Sequence, residues 1–293
     1  MTCAEALQYI EELKPGGMKL GLDRMRRGLE LLGHPERRLR VVHVAGTNGK
    51  GSTARMVQAI ATAAGYATGL FSSPAVIGLR ETITVDGEAI PEAAFAGWVD
   101  RLRALQSDMG EAGGLSEFEL TTLLALAWFA ERNTDLCVIE CGMGGREDAT
   151  NVFDAPLAAV ITPVALDHTA WLGGTAEEIA AHKCGIIKAP CGVVTAPDQD
   201  PDALAVIWET AARQGLTVRQ PGTGAAPLLE ASLGRTVFAY GEKRYTLPLT
   251  GAFQRDNALT ALETVDCLRD KGYTFTEEAV AAGLAGAYLP CRQ

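Results

Sequence analysis

Short apolar runs and longer helical periods take turns along this chain. Residues 38–45, RLRVVHVA, form a β-branched run that reads as a buried strand. Residues 54–65, ARMVQAIATAAG, bring Ala, Met, Val and Ile back at helical spacing and stop at Gly65. YATGLFSS (66–73) reads as a second strand. RETITVDGEAI (80–90) alternates around Asp86-Gly87, a tight hairpin dipeptide. Helical periods over 91–107 and 117–132 follow, with the glycine-rich stretch SDMGEAGGLSE between them. DLCVIE (135–140), LAAVITPV (157–164) and GVVTAP (192–197) are three more buried strands. TAEEIAAHKCGIIK (175–188) is a helix opened by a Thr175–Glu178 capping box. RTVFAYGEKRYTLPL (235–249) predicts a strand pair, and residues 251–272 a helix ending at Gly272. This order predicts an α/β fold: a mainly parallel sheet with helices on both faces, plus a small β-hairpin region.

The first strand and the first helix are joined by HVAGTNGKGST, residues 43–53. Glycine-rich turns are common at such junctions, and most bind nothing. This one holds more than a turn needs. Gly46, Gly49 and Gly51 let backbone N–H groups close on an anion, and the helix adds its positive end. Lys50 can reach terminal phosphates, and the Ser52 hydroxyl suits a magnesium ion. The usual G-x-x-x-x-G-K-[ST] pattern is not met. Val44 stands where its first glycine would be, and Gly51 separates Lys50 from Ser52. The loop is a variant phosphate cradle.

The loop, Ser73, Glu140 and His168 all lie beyond the carboxyl ends of predicted parallel strands, the edge where open α/β sheets bind ligands. Glu140 is a hard oxygen ligand followed by the glycines of CGMGG, which suits Mg²⁺. His168 stands between Asp167 and the glycines of WLGG. Lys183 and Lys188 fit a solvated helix, and Gln254 and Asn257 fit helix caps. No Ser-His-Asp arrangement is evident.

Composition narrows the setting. The 293 residues are 47% hydrophobic and 21% charged, enough for a full core. The net charge of −10 argues against general nucleic-acid or anionic-membrane binding. Seven cysteines form no C-x-x-C pair and read as reduced thiols rather than a zinc site. No signal peptide is evident, and the apolar stretch 120–130 is too short to span a bilayer, so the cytoplasm is expected.

Six segments together carry a resemblance. They are LDRMRRGLELLGHPERRLRVVHVAGTNGKGST, SSP with RETITVDG, SEFELTT, DLCVIECGMGGREDATNV, LDHTAWLGGTAEEIAAHKCGIIK and GAFQRDNALTALE. In this order and spacing they resemble the folylpolyglutamate synthase/dihydrofolate synthase family, within the Mur-ligase-like ATP-dependent amide ligases. The likeness covers nearly the whole chain. It implies a P-loop-type Mur ligase central domain over residues 1–293 that uses ATP and Mg²⁺. As a cytoplasmic monomer, it would add L-glutamate to the carboxylate of a folate or dihydropteroate through an acyl phosphate.

The resemblance also implies roles. Thr47, Asn48, Gly49, Lys50, Gly51 and Ser52 would hold ATP phosphates, with Asn257 and Gln254 near the adenine and Arg292 at the phosphates. Ser52, Ser73, Glu140, His168 and Lys183 would serve the metal, Lys183 as a carbamate. Lys50, Glu140, His168 and Lys183 would be the catalytic set, and Asp148, Ala149 and Thr150 would lie at the pterin. Three positions depart from the family pattern. Ala75 stands for a histidine, Thr82 for the arginine of E-R-I, and Cys291 for the glycine of W-P-G-R. Family members continue into a second, smaller domain that closes over ATP. The resemblance therefore implies that these residues form the first domain only and alone make essentially no amide product. The alternatives are a peptidoglycan-precursor ligase of the same superfamily, a nucleotide-hydrolysing switch, and a truncated or degenerate nucleotide-binding remnant without ligase activity.

Overall fold

The computed structural model describes residues 1–14, 21–222, 224 and 226–288. Five parallel strands form the heart of one sheet: β1 (Val41–Ala45), β2 (Thr68–Phe71), and, after a hairpin, β5 (Leu136–Glu140), β6 (Ala158–Ile161) and β7 (Gly192–Thr195). The hairpin is β3 (Ile83–Val85) and β4 (Glu88–Ala89), turned by Asp86 and Gly87 at positive φ. A short β8 (Val218–Arg219) closes the far edge, and the order is β4-β3-β2-β5-β1-β6-β7-β8. β1 is central, its Val42 paired with Val138 on one side and Ala158 on the other.

Near-continuous apolar runs predict strands buried on both faces, and that is what covers them. One face carries α3 (Lys50–Ala63), α9 (Phe253–Arg269) and α10 (Glu277–Gly286) over Val42, Val44 and Val138. The other carries two clusters. The first gathers α1 (Cys3–Leu13), α2 (Asp23–Leu31), α4 (Glu92–Leu105) and α5 (Glu117–Glu131). The second gathers α7 (Ala176–Lys183), reached after the single turn α6 (Thr169–Leu172), and α8 (Pro201–Arg213).

Two expectations change. The predicted strand pair is three-stranded: β9 (Leu228–Ser232) joins β10 (Arg235–Tyr240) and β11 (Lys243–Leu247) in the order β11-β10-β9. The capping box of α7 is half made. Thr175 Oγ1 accepts from the Glu178 N–H, but the Glu178 carboxylate accepts from Gly174 N at 2.7 Å instead of closing on Thr175. Complete boxes are at α1, between Thr2 and Glu5, and at α5, where Ser116 and Glu119 cap reciprocally and the Glu119 side chain, 2% exposed, also takes Arg24 Nε at 2.8 Å. Arg292 and Cys291 lie outside the described residues.

Helices α3 and α10 touch through bare backbone. A Cβ at Gly283 would lie 2.4 Å from Ile60 Cα. Gly283→Ala should therefore force the helices apart and cost about 1–3 kcal/mol in urea unfolding. A loss below about 0.5 kcal/mol, the scatter of an ordinary surface change, would mean that this contact is not close-packed in solution.

Candidate active site

The phosphate loop leaves β1 through Gly46, at φ 152°, where a Cβ would fall 1.8 Å from Thr162 Oγ1. Only glycine fits. The next residues are stapled to the exit of β6. Thr47 N and Asn48 N donate to Pro163 O at 2.9 and 3.2 Å, and Thr47 Oγ1 donates to Ala165 O at 3.0 Å. Gly49, at φ 80°, opens α3 with no side-chain cap, so the first-turn N–H groups of the helix are not satisfied by a local side chain. Lys50 Nζ folds back to 3.3 Å from Thr47 O.

Asn257 and Gln254 do not cap α9, whose N-cap is Ala252. Both are buried, Asn257 Nδ2 donates to Gln254 Oε1 at 2.9 Å, and a Cβ at Gly49 would fall 2.2 Å from Asn257 Oδ1. The pair backs the loop from behind. Together these groups and Ser52, Ser73 and Glu140 line a cleft of about 890 Å³. Ser73 N donates to Glu140 Oε2 at 3.1 Å, joining the ends of β2 and β5. Sequence reasoning missed Phe253 and Asp256, which also line the cleft; Phe253 is 62% exposed at its mouth. Their signal was proximity to Gln254 and Asn257 on one helical turn.

A second cavity, about 500 Å³, shares Lys50, Ser73 and Pro74 with the first. Asp148, Ala149 and His168 line it, as do Ser116 and Phe118 at the start of α5, which sequence reasoning also missed. Thr150 is not among the lining residues. It is buried behind them with its hydroxyl 2.8 Å from His43 Nε2. His168 is half exposed with Nε2 3.6 Å from Asp167 Oδ2. It lines this second cavity, whereas Glu140 lines the cleft. Among the described residues no three His, Cys, Asp or Glu side chains gather into a metal cage.

Lys183 is not a solvated helix residue. It is 3% exposed, and Nζ donates to Gly46 O at 2.8 Å, directly under the phosphate loop. Burial, with the Lys50 charge nearby, brings its amine down to about 8. Lys188 also turns inward, its Nζ donating to the carbonyls of Asn151 and Phe153. At the departures from the family pattern, the Glu81 carboxylate accepts from Val76 N and Ile77 N and so holds the loop bearing Ala75. Arg80 turns away to Ile90 O at 2.9 Å and Glu92 at 3.2 Å.

Comparison with known proteins agrees with this fold. The Mur ligase middle domain matches residues 44–265. The dihydrofolate synthase/folylpolyglutamate synthase of Bacillus subtilis (strain 168) is 38% identical, over 98% of this chain and 69% of its own length. The folylpolyglutamate synthase of Lacticaseibacillus casei is 35% identical over 90% of this chain and 64% of its own length. The chain thus spans about two thirds of these curated relatives. Among solved structures, an FPGS-AMPPCP-folate complex superposes with a TM-score of 0.88 at 34% identity, covering all of this chain and 73% of that one.

Gly49 is held to glycine by its positive φ and by Asn257 behind it. Gly49→Ala should weaken Mg-ATP binding at least tenfold and lower the unfolding midpoint by a few degrees, while circular dichroism stays close to the parent's. A fluorescent-nucleotide titration with unchanged affinity would show that the loop is not the nucleotide's seat.

Proposed function

Because this chain belongs to the folylpolyglutamate synthase/dihydrofolate synthase family of Mur-ligase-type, ATP-dependent ligases, we propose that the full-length protein joins L-glutamate to a folate or dihydropteroate carboxylate. The observation that carries this reading is the junction of the two cavities. A nucleotide in the glycine-lined cleft and an acid in the second cavity would meet at Lys50 and Ser73.

The chain's groups then divide the work. Loop N–H groups and Lys50 hold the triphosphate with its γ-phosphoryl group facing the second cavity. The substrate carboxylate oxygen attacks that phosphorus as the bond to ADP breaks, giving an acyl phosphate. The glutamate amine attacks the acyl carbon, phosphate leaves, and the nitrogen loses a proton. No side-chain nucleophile takes part, so positioning and charge stabilisation supply the rate. Ser52, Ser73 and Glu140 line the nucleotide cleft and would offer Mg²⁺ two hydroxyls and a carboxylate, with His168 in the adjoining cavity as a further donor; so sparse a set suits an ion that keeps waters and phosphate oxygens among its ligands. When bound there, the ion would neutralise charge on the transferred phosphoryl group. Asp148 and Ala149 line the pterin end, with Thr150 behind them. A local cationic pocket in a chain of net charge −10 suits small anionic substrates and offers nucleic acid no basic face. We place the protein in the cytoplasm as a monomer; five buried free thiols among the described residues fit a reducing compartment.

Lys183 becomes a carbamate in this reading. The amine nitrogen adds to the carbon of CO₂ and loses one proton, which replaces a cation beneath the triphosphate site by an anion. Its lowered basicity leaves much of it neutral at mildly alkaline pH, the form that reacts. Crystals grown near neutral pH with bicarbonate and Mg²⁺ should show density beyond Nζ. A bare ammonium in a well-ordered, metal-loaded site would count against the assignment.

The direct test of function supplies full-length protein with Mg-ATP, glutamate and either dihydropteroate or tetrahydrofolate. Phosphate release should require both co-substrates and accompany a mass gain of one glutamyl residue. Lys50→Ala should lower turnover by at least a hundredfold without unfolding the protein. Phosphate release indifferent to both acid and glutamate would favour a plain nucleotide hydrolase.

A further inference from the structure

The second cavity owes its shape to a buried chain of hydrogen bonds that begins on the central strand. The loop after β5 runs from Cys141 to Asn151 and turns on Asp148. Asp148 Oδ2 accepts from Met143 N at 2.7 Å, and Oδ1 accepts from Thr150 N at 2.9 Å and from the Thr150 hydroxyl. Burial pushes the Asp148 acid upward, and these three donors oppose that push by favouring the carboxylate. The single Thr150 proton is thereby used. His43 Nε2 lies 2.8 Å from the same Thr150 oxygen; with the hydroxyl proton on Asp148, the tautomer protonated at Nε2 is the one that donates to it. Burial takes the His43 imidazole down to about 3, which keeps the ring neutral. Cys141 Sγ stands 3.1 Å from Nε2, and the ring meets Phe153 edge-on at 5.9 Å.

From these contacts we infer that His43 is a positioning residue for the acid substrate's pocket, acting through Thr150 and Asp148. This rests on the reading of the second cavity as the folate or dihydropteroate site. His43 touches neither cavity, but Met143, Asp148 and Ala149, which its chain of bonds holds, all line the second one. The nucleotide loop has separate supports in Pro163, Ala165 and Asn257. Loss of the His43 donor should therefore loosen one cavity and spare the other, although His43 lies only three residues before Gly46.

The experiment compares His43→Leu, which keeps apolar bulk without a donor, with His43→Gln, whose side-chain N–H can span the same gap. Binding to the full-length protein is titrated separately with dihydropteroate and with Mg-ATP. For His43→Leu the dihydropteroate dissociation constant should rise at least tenfold and that for Mg-ATP stay within twofold. His43→Gln should return dihydropteroate binding to within about threefold of the parent. Thr150→Val removes the other end of the bond and should show the same split, which decides the matter if His43→Leu does not fold. Equal losses for both ligands, no loss, or a glutamine variant as weak as leucine would overturn the positioning role. If the parent itself binds no dihydropteroate, the proposed function fails. The His43 Nε2–H resonance, expected in slow exchange in the parent and lost or shifted in Thr150→Val, then still decides the hydrogen bond.

Discussion

Everything at the ligand edge hangs on the close approach of Gly46 to Thr162. β1 and β6 are paired to their last residues, Ala45 with Ile161, so the two chains leave the sheet side by side. Thr162 Oγ1 fills the space a Cβ at residue 46 would need. The backbone of the loop can then settle on Pro163, and the Gly46 carbonyl is left turned toward Lys183 Nζ. A side chain at residue 46 would lift the loop from β6, separate Lys183 from its acceptor and move the start of α3. Both the anion-binding end of the helix and the lysine beneath it depend on one missing methyl group.

Much of this was legible in the sequence because it is written in short-range signals. β-branched runs marked β1, β5, β6 and β7, and positive-φ residues at 86 and 87 marked the hairpin. The convergence of the phosphate loop, Ser73 and Glu140 followed from strand ends alone, since parallel strands deliver all their carboxyl ends to one edge. The strand β9 was missed because its residues are mostly half exposed or exposed, with no apolar run to announce it. The half-formed box at Thr175 was misread for a different reason: the motif fixes residue types, not which N–H the glutamate reaches, and Gly174 competes successfully for it.

Contacts between distant segments were not legible. Lys183 has the local pattern of a solvated helix and becomes a buried strut only because β1 ends beside the end of α7. Asn257 looks like a cap and instead braces Gly49 across the molecule. Thr150 sits within the DATN run, yet it faces His43, which is 107 positions away. In each case the side chain's role is set by which element folds against it, information that periodicity does not carry.

The electrostatics of the junction give these placements their chemical meaning. Burial, and after it the nearby Lys50 charge, disfavours the cation at Lys183. Such an arrangement is unfavourable while it holds only protein groups. It becomes favourable when polyanion enters, because the repulsion between the lysines is then replaced by attraction to phosphate in a partly desolvated cleft. Glu140 lines the cleft and Asp148 the second cavity, so acidic side chains stand at the same junction. Under the proposed function, an acidic chain sets two of its lysines where a phosphoryl group would be held and an acid would approach it. The same local excess explains why a lysine, normally a poor neighbour for a metal ion, sits at that edge: under the proposed carbamylation it would reverse its charge as the substrates' own charges arrive.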